Sequence, residues 1–517
     1  MKTSKVAFST WHDSSLASIV DGELDLLINQ ERLTHVKHDI FSERLLIESE
    51  KEGIKLENCG VCSLNKDSTH HLYHAAHTFY DSGFKEAVCV IVDGMGSEVS
   101  LNYSNFKEGT TGRESESIYK ASYPDNFKLI HKLVSVPFES NFLSNDQTTT
   151  VRKQISPALM FQKTCEAWGM NWYDAGKLMA MSSYANENYF YEKQKLYDWA
   201  GIDFWNPFNE TFFEIDSKDV RQVKLKKECI TFQEKANFCK WLQDYSQEYV
   251  KQLIIRAVEL SGCKNVCLSG GYFLNCVSNA YIRKNLPSDI KIFIEPICGD
   301  DGVAIGLANF LFHNETKSKK IKPLKTVYKG ITRDINVSGK KITPFEVANL
   351  LANQKVVAIF QSRSECGPRA LGNRSILYDP RDSNGREKIN KLKGREEYRP
   401  LAATVLYEHA KKWFDMSFLK ESPYMLYSLD VLSDKIPAVC HVDNTCRIQT
   451  LKKNFNPHFY TLIKEFYKIT QIPLVLNTSF NLAGDTIVET VEDAISTLNT
   501  SDIDFLYFPE KNLIIEK

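Results

Sequence analysis

The chain has 517 residues, 43% of them hydrophobic and 25% charged, and its 64 basic side chains nearly balance 65 acidic ones. Such a composition excludes a disordered, collagen-like or coiled-coil chain. A net charge of −1 also argues against a dedicated duplex-DNA binder, which shows a basic excess.

At ~150 residues per domain the length allows two to four domains. No apolar run approaches the ~18 residues that a spanning helix needs, so no membrane partner is expected. His12 and Asp13 interrupt any signal-peptide core near the N-terminus, and a cytoplasmic protein is expected. Thirteen cysteines are an odd number for a disulfide framework, and Cys89, Cys267 and Cys298 sit in apolar runs where cysteine acts as a small hydrophobe.

In chain order, Val6–Ser9 reads as a strand, followed by a hairpin of Leu16–Val20, the turn Asp21-Gly22 and Leu24–Ile28. Residues 60–64 read as a short strand. That reading, and the seven residues between Cys62 and His70, weigh against a zinc finger on Cys59, Cys62, His70 and His74. A second hairpin is expected from Ala87–Val92, Asp93-Gly94 and Val99–Tyr103. Such an echo is what a duplicated actin-like or hexokinase-like fold leaves, although Asp-Gly hairpins are common.

Phe238, Leu242, Tyr245, Tyr249 and Leu253 recur at spacings of three and four, which predicts a helix from Phe232 to a C-cap at Gly262, with the aromatic side chains in the core. Val266–Ser269 and Ile292–Ile294 read as buried strands, the first ended by Gly270-Gly271. The lysine-rich stretch Asn314–Lys325 is a linker or a solvated loop. Val356–Phe360 and Leu474–Leu476 read as further strands.

Three constellations carry chemistry. On a helix, His70 and His74 at i and i+4 share one face, as two imidazole ligands of one metal must. Asp93 and Asp300, each after a strand, would complete a mixed nitrogen and oxygen set suited to iron, manganese, zinc or magnesium. Taken pairwise, the same residues read more readily as a surface histidine cluster with two hairpin aspartates.

The second constellation is Glu365–Ser375, with two glycines and a proline around Arg369, followed by Lys391, Lys393, Arg395 and Arg399. Glycines let a backbone approach a ligand, and arginines form bidentate contacts with phosphate. Arg447, Asn477 and Ser479 add a cation and two polar groups. A solvated face explains Lys391 but not the Gly-Pro-Arg-Ala-Leu-Gly segment. The third constellation is His12-Asp13 in the loop after the first strand, with Glu31-Arg32 and Lys37-His38 shortly after; a lone histidine there is more often structural.

These blocks resemble the O-carbamoyltransferase family that includes the NodU nodulation proteins and tobramycin carbamoyltransferase. The resemblance runs from His12–Ser15 and Val20–Gly22 through Gln30–Arg32, Lys37–Asp39, His70–Ala76 and Val92–Gly94. It continues in Ala175–Lys177, Ser269–Asn275, Gly299–Gly306, Gly367–Ser375, Asp379–Arg381, Glu397–Ala402, His441–Thr450 and Leu476–Asn481. The run Ala180–Ala185 departs from the family pattern, and residues 105–126 and 139–150 match none of it, which leaves the acceptor open.

The resemblance implies an α/β protein with an actin-like, duplicated ribonuclease-H-like module over residues 1–325 and a YrdC-like α/β module over residues 326–517. It implies that ATP and carbamoyl phosphate form carbamoyl-adenylate in the second module. The first module then transfers the carbamoyl group to an acceptor hydroxyl, on a natural-product sugar or a hydroxymethylated pyrimidine nucleotide.

By the same resemblance, His12 and Lys37 are the transfer residues, and His70, His74, Asp93 and Asp300 bind one divalent metal (iron, manganese or magnesium). Arg369, Lys393, Arg399, Arg447, Asn477 and Ser479 contact carbamoyl phosphate and ATP. Lys177, Gly270, Gly271 and Asn275 bind nucleotide. A homodimer is a further expectation. Two alternatives stand beside this reading, a small-molecule kinase of the actin-like fold and a threonylcarbamoyl-type tRNA-modifying enzyme, which would want a basic stripe.

Overall fold

The N-terminal hairpin forms where an Asp-Gly turn requires it. Strands β1 (Ser4–Ser9), β2 (Ser15–Val20) and β3 (Glu23–Asn29) are antiparallel neighbours. Asp21 (φ 51°) and Gly22 (φ 81°) both take the left-handed conformation of a two-residue turn that matches the strand twist. Strand β4 (Gly60–Cys62) adds to β1, giving the order β3-β2-β1-β4. Val6, Leu16, Leu26, Ile28 and Leu45 form its core.

The computed structural model describes residues 4–56, 59–63, 69–138, 140–186, 213–219, 222–226 and 228–517. The chain divides into two units. The first joins Met1–Val61, Gly299–Phe312 and Lys322–Lys517; the second joins Cys62–Cys298 and His313–Ile321.

In the second unit, helix α1 (His70–Ser82) precedes strand β5 (Glu86–Val92). Strands β6 (Glu98–Ser100), β7 (Thr111–Ser122), β8 (Asn126–Ser135), β9 (Asn141–Leu143) and β10 (Thr149–Arg152) follow. The second expected hairpin does not form. One edge of β5 pairs antiparallel with β7 and the other parallel with β13 (Asn265–Ser269), so β6 pairs with β7 instead.

A separate pair, β11 (Phe213–Ile215) and β12 (Val223–Leu225), lies between β10 and β13 in the chain. Helix α2 (Phe232–Ser261) matches the predicted one. Thr231 and Glu234 close a capping box at its start, Gly262 (φ 65°) ends it, and Phe238, Leu242, Tyr249 and Leu253 are buried. Strand β14 (Lys291–Ile294) completes the sheet order β14-β13-β5-β7-β8-β10-β9.

The rest of the first unit is a nine-stranded mixed sheet: β15 (Lys340–Lys341), β16 (Val357–Phe360), β17 (Arg374–Tyr378), β18 (Ala402–Leu406), β19 (Ser428–Asp430), β20 (Thr445–Leu451), β21 (Leu474–Ser479), β22 (Phe505–Phe508) and β23 (Leu513–Glu516). Its order is β15-β23-β22-β16-β17-β21-β18-β20-β19. Apolar runs such as Val357–Phe360 are buried on both faces, and Phe459, Leu462, Ile463 and Phe466 of helix α3 (Pro457–Thr470) pack into the same core. The fold class is mixed α/β, as expected. No described helix is long and apolar enough to cross a membrane, and each described cysteine is a free thiol.

Candidate functional site

In the second unit, α1 carries His70 and His74 one turn apart, and both are buried together with Asp93 just past β5. Burial overturns the surface-cluster reading. His70 Nε2 stands 3.2 Å from His74 Nε2 and 3.5 Å from Asp93 Oδ2. Ligands held at ~2.0–2.2 Å from one ion lie about 3.0–3.5 Å apart, so this spacing fits a shared metal.

The outer contacts fit too. His74 Nδ1 is hydrogen bonded to Ser269 Oγ at 3.2 Å, which turns Nε2 toward the cluster, and the Gly271 amide donates to Asp93 Oδ1 at 3.1 Å. Among the described residues, no group able to hold a metal includes a cysteine, so the finger reading finds no support.

Neighbouring residues expected to touch nucleotide have duties in the fold. A Cβ on Gly270 (φ 104°) would meet the Val92 carbonyl oxygen at 2.2 Å, so only glycine lets this turn approach β5. Asn275 caps helix α4 (Cys276–Asn285) by accepting from Ser278, and its amide donates to Gln243. Lys177 pairs with Asp174 at 3.1 Å.

In the first unit, His12 follows β1. Its Nδ1 lies 2.9 Å from Asp13 Oδ2, and its Nε2 lies 3.4 Å from Asp300 Oδ2. The other Asp13 oxygen meets His38 Nδ1 at 2.7 Å, and the His38 amide donates to Glu31. Burial alone would raise the Asp13 carboxyl, but bonds from the two imidazoles outweigh it and hold it below the usual range. The reciprocal effect raises His38.

The basic loop is organised around Glu365, whose Oε1 accepts the amides of Leu371, Asn373 and Arg374. Arg374 points inward. It donates to the carbonyls of Gln361, Ser362 and Asn373 and lies 3.6 Å over the Phe360 ring, a structural use of one arginine. Lys393 is buried and reaches the Ser479 hydroxyl at 3.1 Å and Asn481 Oδ1 at 2.8 Å.

Register places Leu377, Asn477, Ala402 and Arg447 in one row across β17, β21, β18 and β20. Asn477 and Arg447, two strands apart, are therefore about 10 Å from each other. Asn477 Oδ1 is buried and accepts no hydrogen bond from the described residues.

Cations crowd here. Burial lowers Lys393 well below its ordinary value, and the charges of Arg395, Arg399 and Lys37 lower it further. Burial pushes Arg395 down to about 9, with Arg399, Arg447 and Arg369 adding to the effect. Lys391 is exposed, as a solvated lysine should be.

The sequence reading left Ser269, Asp13 and His38 without roles of their own. Asp13 and His38 stood in the motif blocks, but their pairing joins residues 25 apart in the chain.

A model of the carbamoyltransferase N-terminus matches residues 49–309 and one of the carbamoyltransferase C-terminus matches residues 348–517. Among relatives, nodulation protein NolNO of Sinorhizobium fredii is 29% identical over 85% of this chain and 62% of its own length. Nodulation protein NolO of Bradyrhizobium diazoefficiens is 29% identical over 84% of this chain and 77% of that protein. Nodulation protein U of S. fredii is 35% identical over 44% of this chain and 41% of its own. The chain thus spans less than two thirds of NolNO.

Proposed function

The chain belongs to the carbamoyltransferase family, and from that membership we propose that it is an ATP-dependent O-carbamoyltransferase. On this reading a YrdC-like C-terminal part, beginning near residue 326, joins carbamoyl phosphate and ATP into carbamoyl-adenylate. An actin-like N-terminal part passes the carbamoyl group to an acceptor hydroxyl. A carbamoyl carbon is deactivated by its nitrogen lone pair, and a mixed anhydride with AMP supplies the leaving group an alcohol needs.

The observation that carries the proposal is a cluster of cations in which burial, helped by the charges of Arg399 and its neighbours, lowers the proton affinity of Lys393 and Arg395, a setting that favours an anionic ligand. Asn477 Oδ1 adds an acceptor suited to the carbamoyl amide. For transfer, His12 Nε2 takes the acceptor proton, and Lys37 polarises the carbamoyl oxygen. His70, His74 and Asp93 would hold a divalent iron or manganese ion, and the resemblance assigns Asp300 to the same ion. Such an ion supplies Lewis-acid stabilisation of charge on the leaving phosphate.

The test supplies ATP, carbamoyl phosphate and candidate acceptors, namely neutral sugars and hydroxymethylated pyrimidine nucleotides. AMP, pyrophosphate and a carbamoylated acceptor by mass spectrometry are expected. ADP without pyrophosphate would replace this reading with the phosphotransferase one.

A further inference from the structure

The cluster around Asp13 assigns a duty that no motif states. A carboxylate can only accept hydrogen bonds, and both oxygens of Asp13 are engaged, Oδ2 with His12 Nδ1 at 2.9 Å and Oδ1 with His38 Nδ1 at 2.7 Å. Each Nδ1 therefore carries a proton. In a neutral His12 that leaves the lone pair on Nε2, the nitrogen turned away from Asp13 and 3.4 Å from Asp300 Oδ2.

Asp13, Glu31 and His38 also have the makings of a metal group. However, 2.7 Å is a hydrogen-bond length and falls short of the ~3 Å or more that separates two ligands of one ion.

The backbone supports a built arrangement. Asp13 (φ 58°) and His38 (φ 53°) both hold the left-handed conformation, which is strained for non-glycine residues and persists where surroundings impose it. The surroundings do so here. Ser14 donates its amide to the Asp39 carbonyl, Gln30 donates to the Ser14 carbonyl, and Glu31 accepts the His38 amide.

We propose that Asp13 is a positioning residue: it fixes the Nδ1–H tautomer and the ring orientation of His12, while His38 clamps the far oxygen of the same carboxylate. The inference rests on the reading of His12 as the transfer-site base. In the step served, a bond forms between the acceptor oxygen and the carbamoyl carbon, and the bond from that carbon to the adenylate phosphate breaks. AMP departs with the electron pair. The hydroxyl proton goes to His12 Nε2, and the resulting imidazolium faces the Asp13 carboxylate until the proton returns to solvent.

The experiment uses the full chain carrying Asp13→Asn, because asparagine tolerates the left-handed backbone while its amide NH2 can face His12 and force the opposite tautomer. Carbamoyl transfer is expected to fall ~10²–10⁴-fold, with pyrophosphate release unchanged. Nitrogen-15 NMR of histidine-labelled protein, with the His12 signal assigned through His12→Asn, is expected to show the proton on Nδ1 in the wild type and on Nε2 in the variant. His38→Asn, a second substitution compatible with the backbone, is expected to lower transfer less.

Unchanged transfer or an unchanged His12 tautomer in Asp13→Asn, with His12→Asn inactive in transfer, would overturn the positioning role alone. If Asp13→Asn does not fold, unchanged transfer in His38→Asn overturns the clamp. Full transfer in His12→Asn would overturn the reading of His12 itself, and this inference with it.

Discussion

Arg32 donates from a guanidinium nitrogen to the Gly367 carbonyl at 2.9 Å, across 335 residues of chain. The bond is buried, and it anchors the backbone two residues before Arg369 to a segment that follows the N-terminal hairpin. Burial disfavours the Arg32 charge, but Glu489, 3.6 Å away, and Glu365 outweigh that and raise its proton affinity.

Arg32→Met should therefore destabilise the chain by about 3–5 kcal/mol, since Glu489 stays buried after losing a partner. Thermal unfolding is the check, and an unchanged midpoint would show the contact to be idle. Affinity for carbamoyl phosphate should fall as well, because the loop that carries Arg369 loses its tie.

Glu116 on β7 accepts from the Tyr249 hydroxyl at 2.9 Å, yet burial pushes its carboxyl up to about 7 from an ordinary value near 4.5. The native state therefore keeps a proton that the unfolded chain has released. Stability from this group is complete below pH 4.5 and is lost as pH rises through about 7. Glu116→Gln should remove that loss, with a steepest slope of about 1.4 kcal/mol per pH unit. Denaturant unfolding of both proteins at pH 5 and pH 8 measures it. A parallel pH response in the two would contradict the assignment.

Arg369→Gln and Arg447→Gln each remove one cation from a crowded cluster. Binding of carbamoyl phosphate should weaken by roughly 1.5–3 kcal/mol, about 10–150-fold. The unfolding midpoint without ligand should hold or rise, because like-charge repulsion falls. Calorimetric titration and thermal scans read the two effects separately. Unaltered affinity in both variants would return this loop to the status of a solvated face.

Ser269→Ala removes the partner of His74 Nδ1 and leaves the proposed metal ligands in place. Affinity for Fe²⁺ or Mn²⁺ should drop ~10–100-fold, read by chelator competition. His70→Ala with His74→Ala should abolish the bound ion by elemental analysis. Full occupancy in that double variant would place the ion elsewhere.

Local pattern was legible wherever neighbours in sequence decide the outcome. The helix Phe232–Ser261 follows from apolar spacing and a terminal glycine, and the hairpin at Asp21-Gly22 from turn chemistry. Pairing of β5 with β7 and β13 was not legible, because partner choice is settled by strands up to 180 residues away. His70 and His74 were visible as a pair, but their burial depends on tertiary packing that no five-residue window contains. Asp13 illustrates the same limit. Its meaning lies in His38, and in two strained backbone positions that ordinary residues occupy only when the fold compels them.

Glu365 gives the basic loop a property of its own. Three amides converge on one carboxylate oxygen, and Gly367 (φ 82°) and Gly372 (φ 111°) supply the turns that let them converge. A Cβ on Gly372 would strike the Phe459 ring at 2.2 Å, so the loop is also wedged against the core. The conformational entropy of this segment is therefore surrendered when the chain folds, before any anion arrives. On the proposed reading, a phosphate bound at this loop spends little of its interaction energy on ordering the backbone around it.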